Sequence, residues 1–111
     1  MKSAMAMLSF GVITFAGTAF AEDAAKLFSK NCVTCHGADA KGETDIGEAL
    51  QITNLTDAKV QERLTDDAIT KQITDGSTDK TTGAVRMPPF KAVLKPDEIK
   101  ALVKHVRTFK K

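Results

Sequence analysis

Three residues with reactive side chains stand together in Cys32-Val33-Thr34-Cys35-His36. They include both cysteines of the 111-residue chain and one of its two histidines. Residues three apart on a helical turn point to the same side. Two such sulfurs can each add to a vinyl group of a haem and form a thioether. The adjacent histidine can then reach the iron. Cys-x-x-Cys-His is the attachment signal of c-type haem, and covalent capture makes the haem part of a protein's core.

Other chemistries use parts of the same pattern. A thiol–disulfide enzyme also places C-x-x-C at a helix start, but within a βαβ context that this chain does not announce. Zinc accepts two Cys and two His, and Cys32, Cys35, His36 and His105 are formally such a set. However, adjacent residues rarely both reach one tetrahedral ion, and His105 lies far outside the usual spacing. A simple disulfide, or chance, completes the alternatives. The motif favours haem, and the other readings stay open at this point.

An iron bound by His36 has a second axial position. Met87 and His105 are the candidates. Met87 sits in Arg86-Met87-Pro88-Pro89-Phe90. Two prolines fix φ and remove two donors, so this segment is a stiff loop. A stiff loop suits a weak thioether ligand, and His/Met ligation raises a haem's reduction potential. His105 stands beside the apolar stripe of the last helix. The pattern favours Met87.

These residues need elements to hold them. Residues 1–21 read as a cleaved export signal: Lys2 is the only charge, a small-residue apolar stretch follows, and Ala19-Phe20-Ala21 fits the cleavage rule. Mature chain then starts at Glu22, in a single domain over 22–111. Removing the signal takes Phe10, Phe15 and Phe20 from the 6 Phe and leaves Met87 as the only one of 4 Met. There is no Trp and no Tyr. So lean a small domain is marginal on side chains alone.

The mature chain reads as all-α. Ile99, Leu102, Val103, Val106 and Phe109 share one face of a last helix. Pro96 suits its first position, and Asp97 and Glu98 its first turn. Lys104, Arg107, Lys110 and Lys111 complement its C-terminal dipole. A second helix follows the N-cap Thr65, carries Ile69 and Ile73, and ends at Gly76 in the left-handed conformation. A third begins near Glu22 and carries Leu27 and Phe28 toward Cys32. A short turn covers Asp57 to Arg63.

Taken in order, these motifs resemble the small class I c-type cytochromes. The resemblance covers nearly all of 22–111. It rests on CVTCHG at 32–37, LTDDAITKQITDG at 64–76, MPPF at 87–90 and DEIKALVKHVRTF at 97–109. It implies three to five short helices around one covalent haem c, with the first and last helices packed crosswise. It implies thioethers at Cys32 and Cys35, His36 as proximal iron ligand and Met87 as distal ligand. The function implied is transfer of one electron between redox partners, without catalysis. A haem enzyme or gas sensor with a labile distal ligand is the alternative within haem chemistry. Two departures stand out. His105 occupies a position that often holds an aromatic. No proline marks Thr53-Asn54-Leu55, where an acceptor for the proximal histidine N–H is expected.

Charge is split along the chain. Residues 22–79 hold 6 Lys+Arg and 12 Asp+Glu, a balance of −6, whereas residues 80–111 hold 9 and 2, a balance of +7. Lys80, Arg86 and Lys91 flank Met87 and can steer an acidic redox partner. No pattern points to nucleic acid. The expected compartment is the periplasm, or another exported site such as a photosynthetic lumen. The expected state is a monomer or a subunit of a redox complex, with no membrane span once the signal is removed.

Overall fold

The computed structural model describes residues 18–111 and positions 9 and 11, with side chains from Asp23 onward in the first helix. The export signal expected over 1–21 lies almost wholly outside the described residues. Within them are six helical segments and one small hairpin. These are α1 (Thr18–Asn31), α2 (Val33–His36), α3 (Asp45–Leu50), α4 (Ala58–Arg63), α5 (Asp66–Asp75), β1 (Ser77–Thr78), β2 (Val85–Met87) and α6 (Pro96–Arg107). The helical class matches the expectation. The count exceeds the expected three to five because α2 and α3 span only 4 and 6 residues. Segments that short carry too few turns for a 3.6-residue period to register.

The last helix forms as its sequence dictates. Pro96 opens it, and Glu98 Oε1 accepts the backbone N–H of Lys95 at 2.9 Å. This is half of a capping box, and it satisfies one orphan donor at the helix start. Leu94 and Ile99, at the staple spacing, are both buried. Ile99, Leu102, Val103 and Val106 are buried along one face. Leu102 is 1% exposed, and burying a leucine contributes about 2 kcal/mol. Truncation of Leu102 to alanine would cost about 2–5 kcal/mol, because a packed site closes only partly over the void.

That face meets α1. Ala24 and Phe28 are buried one turn apart, and Phe28 belongs to the same core cluster as Leu102 and Val106. Phe28, His105 and Phe109 form a ring cluster with centroids 5.0 to 5.3 Å apart. His105 therefore replaces an aromatic with another flat ring, and the helix contact stays aromatic in geometry. Burial lowers the His105 pKa below its usual value, which favours the neutral ring that this packing needs.

The core continues through Ile69 and Ile73 of α5. Thr65 Oγ1 accepts the Ala68 N–H at 3.0 Å as N-cap. Gly76 ends the helix with φ +68° and ψ −163°. The positive φ was expected, but the ψ lies outside the left-handed helical region, in one that essentially only glycine visits. The reason is close approach. A Cβ on Gly76 would collide with the Met87 carbonyl and lie 2.7 Å from Pro88 C and 2.8 Å from Pro89 N.

The two strands are antiparallel, pairing Ser77 with Met87 and Thr78 with Val85 across a bulge. Strands of 2 and 3 residues give no alternation to read, so the sequence carries no sign of them. The hairpin has a positional role: it leads the chain from the end of α5 back to Met87.

Candidate haem site

The helical segment α2 places Cys32, Cys35 and His36. His36 N–H bonds to the Cys32 carbonyl at 2.9 Å, and Cys32 N–H bonds to the Phe28 carbonyl at 2.9 Å. The motif thus continues the backbone of α1 with a single break. From below, Thr44 Oγ1 donates to the Cys35 carbonyl at 2.7 Å and accepts Gly47 N–H at 2.8 Å. Gly47 is buried so closely that a Cβ would lie 2.7 Å from the Cys35 oxygen. Thr44 and Gly47 together seat the motif on α3. Thr44 is not among the residues expected from sequence; a threonine ahead of an acidic first turn is the signal that could have marked it as an N-cap.

The loop after β2 is held by α5. Phe90 N–H donates to the Ile73 carbonyl at 3.0 Å, and Lys91 N–H to the Thr74 carbonyl at 3.2 Å. Met87 is half-buried. Gln72 Nε2 lies 3.7 Å from its sulfur.

Cys32, Cys35, His36 and Met87 all line one cavity of about 690 Å³. Apolar side chains dominate its walls: Phe28, Ile52, Leu55, Leu64, Ile69 and Leu102. A concave, mainly apolar space of this size with a few convergent polar groups is the form a cofactor site takes. His105 does not line it and remains among Phe28 and Phe109.

The electrostatics of the motif suit a bound group better than a thiol enzyme. Burial, followed by the neighbouring Cys35, pushes the Cys32 thiol up to about 11. A redox-active cysteine needs the opposite shift, since the thiolate is the nucleophile. No disulfide joins Cys32 and Cys35. Among the described residues, no three His, Cys, Asp or Glu side chains gather as a metal cluster, so the Cys2His2 zinc reading has no geometry behind it.

His36 is the point where fit can be tested. Its pKa is lowered by burial, which favours a neutral ring able to bind metal through a nitrogen. Its Nδ1 is buried with no hydrogen-bond partner. The Thr53–Leu55 segment does not supply an acceptor. Asn54 Oδ1 takes the N–H and hydroxyl of Thr56, at 2.9 and 2.7 Å, and the Leu55 carbonyl takes Gln61 Nε2 at 2.6 Å. A buried imidazole with one nitrogen unsatisfied is costly in a protein interior. A group bound in the cavity and engaging the ring gives that position a purpose. Two thiols, an imidazole and a thioether around an apolar cavity are a donor set that fits a covalent haem.

The cations expected around Met87 separate. Lys80 and Arg86 line the cavity and are exposed. The Arg86 guanidinium also donates to the Leu50 carbonyl across the cavity. Lys91 does not line the cavity; its ammonium lies 3.8 Å from Asp75.

Known proteins bear on this geometry. The family model described as cytochrome C oxidase, cbb3-type, subunit III matches residues 19–106. The chain is 37% identical over 85 residues to the cbb3-type cytochrome c oxidase subunit FixP of Bradyrhizobium sp. (strain ORS 278), covering 76% of this chain and 26% of FixP. It therefore spans about a quarter of that relative. It is 30% identical over 107 residues to cytochrome c6 of Nostoc sp. (strain PCC 7120 / SAG 25.82 / UTEX 2576), covering 92% of this chain and 86% of the relative. Among solved structures, the KustC0563 c-type cytochrome superposes with a TM-score of 0.71 at 43% identity, over 80% of this chain and 99% of that one. Motif, cavity and relatives converge: the chain belongs to the small class I c-type cytochromes, which carry covalently bound haem c and transfer electrons rather than catalyse.

Proposed function

We propose that this chain is an exported one-electron carrier. In this reading the signal over 1–21 is cleaved after Ala21, and the mature domain works in the periplasm. Cys32 and Cys35 hold the haem as thioethers, His36 binds the iron on the proximal side and Met87 on the distal side. The observation that carries the reading is the shared cavity of Cys32, Cys35, His36 and Met87. Haem c, when bound, supplies an iron that cycles between Fe(II) and Fe(III).

The chain's own residues do the rest. The mainly apolar walls would keep much of a bound haem out of water and so limit solvent reorganisation. The motif is braced by Thr44 and the Met87 loop by α5. An iron held by both His36 and Met87 would offer no open coordination site to a substrate. Lys80 and Arg86, at the cavity rim, give a docking partner with acidic character a positive target. FixP is named as an oxidase subunit, and an oxidase-like complex is a fitting class of acceptor.

Mass spectrometry and visible absorption of the purified mature protein test this directly. The expected result is a chain starting at Glu22, heavier by one haem, with a low-spin spectrum in both redox states. Haem that extracts completely into acidified organic solvent would refute covalent attachment. Prompt, stoichiometric CO binding by the reduced protein at neutral pH would refute a filled distal site.

A further inference from the structure

We infer that Gln72 is a positioning residue for Met87, its side-chain amide holding the thioether sulfur so that one lone pair is left directed at the iron. The inference rests on the reading of Met87 as distal ligand. Gln72 Nε2 lies 3.7 Å from Met87 Sδ, and both residues line the cavity.

The backbone around Met87 is already fixed. Gly76 abuts its carbonyl, and the next residues of the loop bond to the carbonyls of Ile73 and Thr74. A methionine side chain has three rotatable bonds, so a fixed backbone does not fix the sulfur. Among the described residues, Gln72 is the side chain that hydrogen-bonds to it, and Gln72 makes no other side-chain hydrogen bond. It sits on the helix whose next residues hold the loop, so amide and sulfur share one rigid frame.

A thioether sulfur is a weak acceptor with two lone pairs. A donor on one of them leaves the other for the metal and restrains rotation of the side chain. Methionine ligation raises a haem's reduction potential, so a contact that keeps the sulfur in place favours the reduced state. Loss of the donor should therefore lower the reduction potential and let external ligands displace Met87 more easily.

The test uses the haem-loaded protein with Gln72→Leu, Gln72→Glu and, as a control on the same exposed helix surface, Thr70→Ala. Leucine removes the donor. Glutamate keeps the length but, when ionised, has no proton to give. Three quantities are read at neutral pH: the sulfur-to-iron charge-transfer absorption of the oxidised protein, its affinity for imidazole, and the reduction potential. In both Gln72 variants we expect imidazole to bind about tenfold more tightly. At a fixed applied potential the reduced-to-oxidised ratio should fall by up to about tenfold, equivalent to about 59 mV for one electron. Thr70→Ala should match the wild type. Unchanged potential and imidazole affinity in both Gln72 variants would overturn the inference. An effect confined to Gln72→Leu would also overturn it, because it would assign the contact to packing. A wild-type protein lacking the charge-transfer absorption would refute Met87 ligation itself, and the inference with it.

Discussion

Arg107 reaches Gln61 twice, donating from one guanidinium nitrogen to the backbone carbonyl at 2.7 Å and to the side-chain oxygen at 2.9 Å. The same guanidinium bonds to the Leu64 carbonyl at 2.5 Å and to Asp66 Oδ1 at 2.9 Å. Gln61 is 4% exposed and passes the connection on, through Nε2, to the carbonyls of Leu55 and Val106. A planar five-donor fork can hold such a set; an ammonium cannot. Four segments of cavity wall are tied at this one point.

Arg107→Ala should therefore destabilise the protein by about 2–3 kcal/mol, the range of hydrogen bonds to a charged donor with buried acceptors left behind. Arg107→Lys should recover little of it. Denaturant midpoints of the two variants, compared at constant slope, decide the matter. Near-full recovery by lysine would show that charge alone mattered.

Gly76→Ala should cost about 1–3 kcal/mol from its backbone conformation and should also disturb Met87. The added methyl group would collide with the Met87 carbonyl. The oxidised variant should lose part of its sulfur-to-iron absorption. A variant that is destabilised but spectrally unchanged would mean that the loop gives way without moving the ligand.

The two cysteines should act independently as tethers. Cys32→Ser or Cys35→Ser should each leave one thioether and a chain that keeps its haem through denaturation. The double substitution should release it. Intact-mass measurement after acid–organic extraction reads all three.

The pH response of stability should include a contribution from His105. Its folded pKa is depressed by burial, so the unfolded chain binds the proton more readily. Stability is then full above the unfolded imidazole value, about 6.5, and declines as pH falls through the interval down to the folded pKa. His36 shifts the same way but is common to both proteins in a comparison of wild type with His105→Phe. The variant should gain on the wild type on the acid side of that value. Parallel stability curves would rule out a role for His105.

Lys80→Glu should slow electron transfer with an acidic redox protein several-fold at low salt, and the difference should shrink as salt screens it. Lys91→Glu should do less, since Lys91 lies beside Asp75 and away from the cavity. Stopped-flow rates across a salt series check this. Equal effects at the two positions would place docking elsewhere.

Much of this architecture was legible in the residues. The motif at 32–36 declared its chemistry because covalent attachment tolerates little variation in spacing. The last helix and the helix after Thr65 declared themselves because each has a cap, a staple and an apolar face. What stayed hidden was contact between distant segments. Nothing near Arg107 in sequence marks it as a clamp rather than a dipole complement, because its partners lie 41 to 46 residues away. Gln72 reads as an ordinary solvated residue until the hairpin folds Met87 back onto it. The unpartnered His36 nitrogen is invisible for the same reason: an acceptor's absence is a property of space, not of spacing.

The cavity wall has a consequence for how the protein is made. Its contributors run from Phe28 to Val106, while Cys32 and Cys35 lie near the start of that span. Without Leu102 and Val106 of α6 in place, the wall around the motif is incomplete. A haem joined to the chain before α6 packs would meet Cys-Val-Thr-Cys-His as linear text, and the final helix would then close over it.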